Sequence, residues 1–259
     1  MLGVRHPDPH FATTVAHGFA VLHSFSVGEP ALSNKELAAR TGLSRPTITR
    51  LTYTLAARGL LVFDGHLRRY RLGSTVLTIG QPLMASLYIR QLARGAMKTL
   101  AQAVGGAASI GMRDRTRMVY VETSRGHELS GWRPDIGAAV PMLPSAIGRA
   151  WLAAAAPPQR EKVLGRLRAE APPPWARHAA HLAQAEADLR DKGFCVSCGD
   201  WRPDLASVAV PLRVPQEGET LVFCCDLPSA RMPPRLLQRQ AGPALLKLVR
   251  RIEAELARG

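Results

Sequence analysis

Residues 33–59 read S-N-K-E-L-A-A-R-T-G-L-S-R-P-T-I-T-R-L-T-Y-T-L-A-A-R-G. Ser33 with Glu36 three positions on is the signature of a capping box, each side chain serving the other's backbone amide at a helix start. Leu37, Ala38 and Leu43 supply the apolar side of this first helix. Thr41-Gly42 stops it, because Gly accepts the left-handed backbone of a sharp exit. Ser44 caps a second helix, and Pro46 sits in its first turn, where a missing amide proton costs little. Ile48, Leu51 and Leu55 recur at i, i+3 and i+7 and predict an inward stripe. Arg45, Thr47, Thr49, Arg50 and Tyr53 are left facing out, and Gly59 ends the helix. Two capped helices about a short Gly-containing turn make a helix-turn-helix, whose second helix reads the major groove of DNA.

The flanks extend this reading. Leu60 to Phe63 is a short apolar strand, Asp64-Gly65 a hairpin turn, and Leu67 to Leu72 a returning strand. A hairpin directly after a recognition helix is a wing. Arg68, Arg69 and Arg71 lie where a wing meets phosphate. Thr47, Thr49, Arg50 and Tyr53 are expected towards base edges, and Ser44 and Arg45 on the backbone. One such unit touches few base pairs. A homodimer or homotetramer on pseudo-palindromic double-stranded DNA follows, with half-sites about 34 Å apart or a multiple of that.

The chain has 259 residues, room for two domains, and its 46% hydrophobic and 21% charged residues are those of a soluble globular protein. No apolar run reaches the length of a membrane span and the first ten residues carry no signal-peptide core, so a cytoplasmic protein is expected. Of the formal charge of +14, residues 11–80 contribute eight Lys/Arg against three acids, and residues 81–259 contribute 25 against 16. The excess is only mildly concentrated in the winged part, so the motif and not the charge carries the DNA reading.

Residues 1–10 read as a loose arm and residues 11–80 as the DNA-binding domain. Its first helix spans His10 to Phe25, with Phe11, Val15, Phe19 and Leu22 on one face packed behind the two reading helices. After the wing, Ser74 caps a short helix to Ile79, which Gly80-Gln81-Pro82 interrupts. Residues 81–104 form a linker, helical from Leu83 to Val104, halted by Gly105-Gly106. Residues 105–259 turn to strands mixed with helices, an α+β domain with an antiparallel sheet. The strands are 108–113, 118–123, 129–133, 138–142, 194–197, 207–214 and 220–227. The helices are 145–155, 158–169, 175–192 after the breaker Pro172-Pro173-Pro174, and 233–256, where Gly242-Pro243 marks a break.

At the level of motifs, the chain resembles the IclR family of bacterial transcriptional regulators. The matching pieces are G-F-A-V-L at 18–22, E-L-A-A-R-T-G-L-S-R-P-T-I-T-R-L, R-Y-R-L-G, V-Y-V-E at 119–122, I-G-A-A-V-P-M-L-P-S-A-I-G-R-A-W-L and D-K-G-F-C-V at 191–196. They lie in family order and span nearly the whole chain. The N-terminal details are most similar to the aromatic-acid-catabolism branch. The resemblance implies a GAF-like ligand-sensing domain, a linker helix that helps form the dimer, and a small organic acid as effector, with no cofactor and no catalysis.

The start of the helix at Ser145 leaves the amides of Ala146 and Ile147 free at the positive end of a helix dipole, an anion site. The resemblance places effector carboxylates at this turn, opposite late-strand residues that correspond here to Ser197, Ser207, Cys224 and Asp226. Ser197 stands where some members have aspartate, and Asp226 where a small hydroxyl residue is common. An ionised Asp226 would repel an anionic effector unless an arginine such as Arg149 paired with it. Trp132, Trp151 and Trp201 are candidates for an aromatic lining. Two rivals stay open. Cys195-Val196-Ser197-Cys198 with Cys224-Cys225 suggests a metal- or redox-responsive switch, although residues three apart on a strand face opposite ways. The other is an enzyme with a helical assembly domain, for which no nucleophile elbow, phosphate loop or zinc-protease helix is present. His178 and His181, one helical turn apart with no acid at a suitable spacing, read as a solvated face.

Overall fold

Ser33 Oγ accepts the amide of Glu36 at 3.3 Å while Glu36 Oε2 accepts the amide of Ser33 at 2.8 Å, so the capping box closes the start of α2 (Asn34–Thr41). Gly42 exits it at φ +70°. The Thr41 hydroxyl donates to the Leu37 carbonyl and accepts the Leu43 amide, leaving this turn few unmet polar groups. Ser44 then accepts the Thr47 amide at the start of α3 (Arg45–Ala57). The computed structural model that gives this geometry describes residues 8–126, 132–170, 172–214 and 218–258. It divides into two compact units, Met1–Ser86 and Leu87–Gly259.

In the first unit α1 (Thr13–Leu22) packs with α2 and α3 through Val21, Leu37, Ile48 and Leu51. Each fully buried aliphatic side chain of this set contributes about 1.5–3 kcal/mol. The helix begins three residues later than the sequence suggests, and its expected inward face is largely bare. Phe11, Val15 and Phe19 are exposed, and Val21 is the fully buried residue instead. The reason is that only the end of α1 reaches the small core. A short strand that sequence patterning misses, β1 (Ala31–Leu32), joins the hairpin of β2 (Leu61–Asp64) and β3 (Arg69–Leu72) in a three-stranded sheet of order β1-β3-β2. Two residues are too short for any alternation to register. Asp64 accepts the amides of His66 and Leu67 to shape the wing tip. The next helix, α4 (Thr75–Ser86), runs through Pro82 instead of stopping before it. Thr78, four residues back, whose carbonyl Pro82 cannot serve, is an exposed residue.

The second unit opens where Leu87 and Ile89 enter its core and α5 (Ile89–Val104) begins, so the long run expected from Leu83 is two helices. Ile89, Ala93, Met97 and Leu100 bury one face of α5. The sheet is six-stranded and antiparallel, of order β6-β5-β4-β9-β8-β7. Its strands are β4 (Ala107–Asp114), β5 (Arg117–Arg125), β6 (Ala139–Pro141), β7 (Cys195–Cys198), β8 (Leu205–Pro211) and β9 (Val222–Pro228). Of the strand expected at 129–133, residues 129–131 lie outside the described residues, and Trp132 and Arg133 are not in a strand. α6 (Ala146–Ala154) lies against β7, β8 and β9, with Ile147 and Trp151 in one cluster with Met118, Tyr120, Val222 and Cys224. α7 (Pro157–Glu170), α8 (Pro172–His178) and α9 (Ala180–Lys192) follow. Pro172 to Pro174 form the first turn of α8 instead of a separator, since a first turn needs no amide donors. The 175–192 helix is instead broken at Ala179. The last helix passes Gly242-Pro243 through a π turn: α10 (Pro234–Leu236), the turn Leu237–Ala241 and α11 (Gly242–Leu256) are contiguous. α11 packs beside α5 and over β8 and β9.

Gly148 sits in the first turn of α6 against the backbone of Met142, where an added Cβ would lie 2.3 Å from both the Met142 Cα and its carbonyl oxygen. Gly148→Ala is therefore expected to destabilise the protein by about 1–3 kcal/mol in urea unfolding. Gly165, within α7 with nothing inside 4 Å of an added Cβ, is the control. Gly165→Ala should instead stabilise by about 0.4–1 kcal/mol. Equal effects of the two would show that the approach of α6 to residue 142 is not tight in solution.

Candidate functional site

Two sites can be built, one in each unit. In the first, Ile48, Leu51 and Thr52 are buried, and the opposite side of α3 carries exposed Arg45, Thr49, Arg50 and Tyr53, Tyr53 at 75% exposure. Thr47 is half-buried, its hydroxyl 2.8 Å from that of exposed Ser44. Asn34, which sequence reasoning passed over, bridges α2 to α3: its amide nitrogen donates to Thr49 at 3.5 Å and its oxygen accepts from Thr52 at 3.3 Å. No local pattern marks it, because its partners are 15 and 18 residues away.

The three wing arginines differ. Arg68, at the tip, holds a left-handed backbone at φ +50° and is exposed. Arg71 is exposed and lies 3.9 Å from Asp64. Arg69 is engaged within the fold, donating to the Ala31 carbonyl at 2.8 Å and to Glu36 Oε1 at 3.0 Å. Glu36 thus closes the first turn of α2 and takes an arginine from the wing. The Ser33 backbone amide chiefly, with the Ser33 hydroxyl and Arg69, holds its carboxyl below the usual range.

In the second unit a cleft is lined by Tyr120, Ser145, Ala146, Ile147, Ser197, Trp201, Arg202, Leu205, Ser207 and Asp226. Five of the six residues expected around an effector lie there together. Cys224 is just behind, its sulfur 3.9 Å from the Tyr120 hydroxyl and 4.0 Å from Asp226 Oδ2. The free volume is about 10 Å³, room for about one water. At one end Ser145 accepts the Gly148 amide, so α6 points its N-terminus at the cleft.

Behind that turn lies the nearly buried guanidinium of Arg149. It donates to the carbonyls of Leu143 and Pro144 at 2.8 and 3.0 Å and to Asp200 Oδ2 at 2.6 Å. Ser197 Oγ is 3.0 Å from both the Pro144 carbonyl and Asp200. Burial alone would raise the Asp200 carboxyl, but Arg149 and Ser197 bring it below its ordinary value. Arg149 is thus not the partner of Asp226 that the sequence suggested. Asp226 accepts from the hydroxyls of Ser207 at 2.6 Å and Tyr120 at 2.8 Å, and burial pushes its carboxyl up despite them. Trp132 and Trp201 meet edge to face at 5.0 Å beside the cleft, whereas Trp151 is fully buried in the core beneath Arg113. Tyr120, Asp200, Arg202 and Leu205 carry no sequence signal for this site, since strand pairing and a loop bring them in.

The cysteines are free thiols. Cys195 is buried and donates to the Ala146 carbonyl, whereas Cys198 is exposed. Burial pushes Cys195 up to about 12 and raises Cys224 and Cys225 as well, which keeps these thiols protonated and unreactive. His178 is buried, not solvated, its ring 5.7 Å from that of His181.

Comparison with known proteins bears on both units. The IclR helix-turn-helix domain matches residues 14–65, and the C-terminal domain of the bacterial transcriptional regulator IclR matches residues 81–248. The chain is 33% identical over 246 residues to the HTH-type transcriptional regulator TsaQ1/TsaQ2 of Comamonas testosteroni, covering 94% of this chain and 88% of that protein. The crystal structure of an IclR family transcriptional regulator from Brucella abortus superposes with a TM-score of 0.83 at 36% identity, over 98% of each chain. An IclR homologue from Microbacterium hydrocarbonoxydans, crystallised with 4-hydroxybenzoate, shares the fold with a TM-score of 0.68 at 22% identity, over 92% of this chain and 99% of that one.

Because the Glu36 carboxyl is held down in the folded state, its contribution to stability is complete above the ordinary glutamate pKa and is lost as pH falls through the lowered one. Glu36→Gln should therefore flatten the acid limb of the winged unit's thermal midpoint plotted against pH in the full-length chain. A variant limb parallel to that of the wild type would remove Glu36 from the acid sensitivity.

Proposed function

The chain belongs to the IclR family of DNA-binding bacterial transcriptional regulators, and from that premise we propose that α3 and the wing read an operator while the cleft of the second unit senses a small organic acid. The observation that carries the first half is the bare polar side of α3. A capped helix that buries Ile48 and Leu51 and leaves Arg45, Thr49, Arg50 and Tyr53 in solvent has the form of an element meant for a groove. Thr47, Thr49, Arg50 and Tyr53 meet base edges; Ser44, Arg45, Arg68 and Arg71 meet phosphate. Arg69, held by Glu36 and Ala31, sets the wing's angle against α2 instead.

The regulator acts as a homodimer or homotetramer on a pseudo-palindrome. Phe11, Val15 and Phe19 on α1 and its lead-in, and Leu77, Ile79 and Leu83 on α4, are exposed apolar side chains of the kind that a second copy covers. The effector's acid group sits at the amides of Ala146 and Ile147, with Ser197, Ser207, Cys224 and Asp226 opposite. With about 10 Å³ free, the cleft has to open before any acid can enter. Trp201 also borders an outer cleft of about 390 Å³, so movement of its loop joins the two. Binding that requires this opening distinguishes two conformations, which is the condition for an effector to shift DNA affinity.

Selection of an operator from random DNA by the full-length protein supplies the test. Arg50→Ala should weaken operator binding and narrow the gap to random DNA by about 1–3 kcal/mol; undiminished selectivity would remove Arg50 from the readout. Arg68→Ala should lower the slope of log affinity against log salt by about 0.9 and leave selectivity in place. An unchanged slope would take the wing tip off the phosphates.

A further inference from the structure

The positive charge of the second unit is unevenly spread. Residues 231–258 carry seven Lys/Arg against two acids, more than half of the excess that residues 81–259 carry as 25 Lys/Arg against 16 acids. Both of those acids are engaged: Glu253 accepts the Arg213 amide at 2.7 Å, and Glu255 pairs with Arg251 at 2.8 Å. Arg235, Arg239, Lys247 and Arg250 are exposed, and their side chains make no hydrogen bond or ion pair with a described residue.

The helix places these four cations together. α10, the π turn and α11 form one rod that buries Leu237, Ala241, Leu245, Val249 and Ile252. Gly242 seats the rod, since an added Cβ there would lie 2.4 Å from the Phe194 ring. The cations stand on the side away from that buried row, and from Arg235 to Arg250 they extend over roughly 22 Å. Arg250 also borders a groove of about 310 Å³ whose walls carry Arg213 and Arg190, the latter 3.4 Å from Asp191. Glu186 in the same groove is taken by Arg160.

Such a face fits an anion repeated along a line. Among the described residues of the rod, the one large apolar side chain that is exposed is Leu236, at 37%. A protein partner is ordinarily held by an apolar or aromatic centre inside a polar rim, and this face has no such centre. A second copy meeting it with the same face would set cation against cation. Duplex DNA offers one charge per about 3.4 Å of each strand and needs no apolar centre.

We infer that the solvent face of α10 and α11 binds the phosphate backbone of duplex DNA beyond the base pairs that α3 and the wing contact. It adds affinity without sequence preference, because phosphates carry no base identity. The cleft takes no part in it.

Fluorescence anisotropy of the full-length protein on two operator duplexes tests this, one trimmed to the base pairs that α3 and the wing protect and one extended by about two helical turns on each side. The test variant is Arg235→Gln with Arg239→Gln and Arg250→Gln. On the extended duplex it should bind more weakly than the wild type, and its slope of log affinity against log salt should be shallower by about 2–3, about 0.9 for each lost contact. On the trimmed duplex the two proteins should agree, and on extended random DNA the variant should lose as much as on the extended operator. Equal slopes on the extended duplex, or an equal loss on both lengths, overturn the inference and leave the reading of α3 standing, which Arg50→Ala reports separately. A wild type that binds none of the duplexes overturns both. Wild-type DNA binding with lost regulation of an operator-controlled promoter assigns the face to an acidic protein, and an altered molar mass in light scattering assigns it to a second copy; either outcome overturns the inference. Should the triple variant not fold, Arg239→Gln alone decides, with an expected fall in slope of about 0.9.

Discussion

A helix that reads DNA must bury enough of itself to be held and little enough to be inserted, and that division of α3 is the constraint on which the first unit depends. Ile48 and Leu51 anchor it to a core of only a few aliphatic side chains. The hairpin joins that core through Leu61, with Tyr70 packed against it. Polar contacts add to the packing: Asn34 bridges α2 to α3, and Glu36 joins the α2 cap to Arg69 of the wing. The Glu36–Arg69 pair is more than a third exposed on both sides, so its contribution to stability is small. It ties strand β3 of the wing to the first turn of α2.

The second unit handles buried charge in two contrasting ways. Arg149 and Asp200 form a pair whose remaining donors are spent on the carbonyls of Leu143 and Pro144, so a buried guanidinium becomes a brace for the turn before α6. Asp226 has no cationic partner among the described residues and accepts from the hydroxyls of Ser207 and Tyr120, with the Cys224 thiol at 4.0 Å. The first arrangement is complete and rigid. The second gathers neutral donors around a buried carboxyl at the wall of the cleft. The two meet through Ser197 and the loop that carries Asp200, Trp201 and Arg202, so occupancy of the cleft and the seating of α6 draw on the same few residues.

Much of this was legible before any coordinates. The caps at Ser33, Ser44 and Ser145, the αL exit at Gly42, the wing and most strands of the second unit are local patterns, and local chemistry decides them. The misreadings share a cause. Pro82 and Pro172 to Pro174 read as stops in the sequence, yet α4 runs through the first and α8 opens on the other three, where a first turn needs no amide donors. The α1 stripe reads as buried yet is exposed, because periodicity reports amphipathicity and not the identity of what covers it.

The sequence by itself determined the winged helix-turn-helix, the outward set on α3, the α+β character of the second unit and the kinship with regulators, because each is written in contacts between residues a few positions apart. Contacts made in space alone bring Arg69 to Glu36, Arg149 to Asp200, and Asp226 to Ser207 and Tyr120. Charges choose partners by distance in space, and separations of 33, 51 and 106 residues along the chain leave no trace in any local pattern.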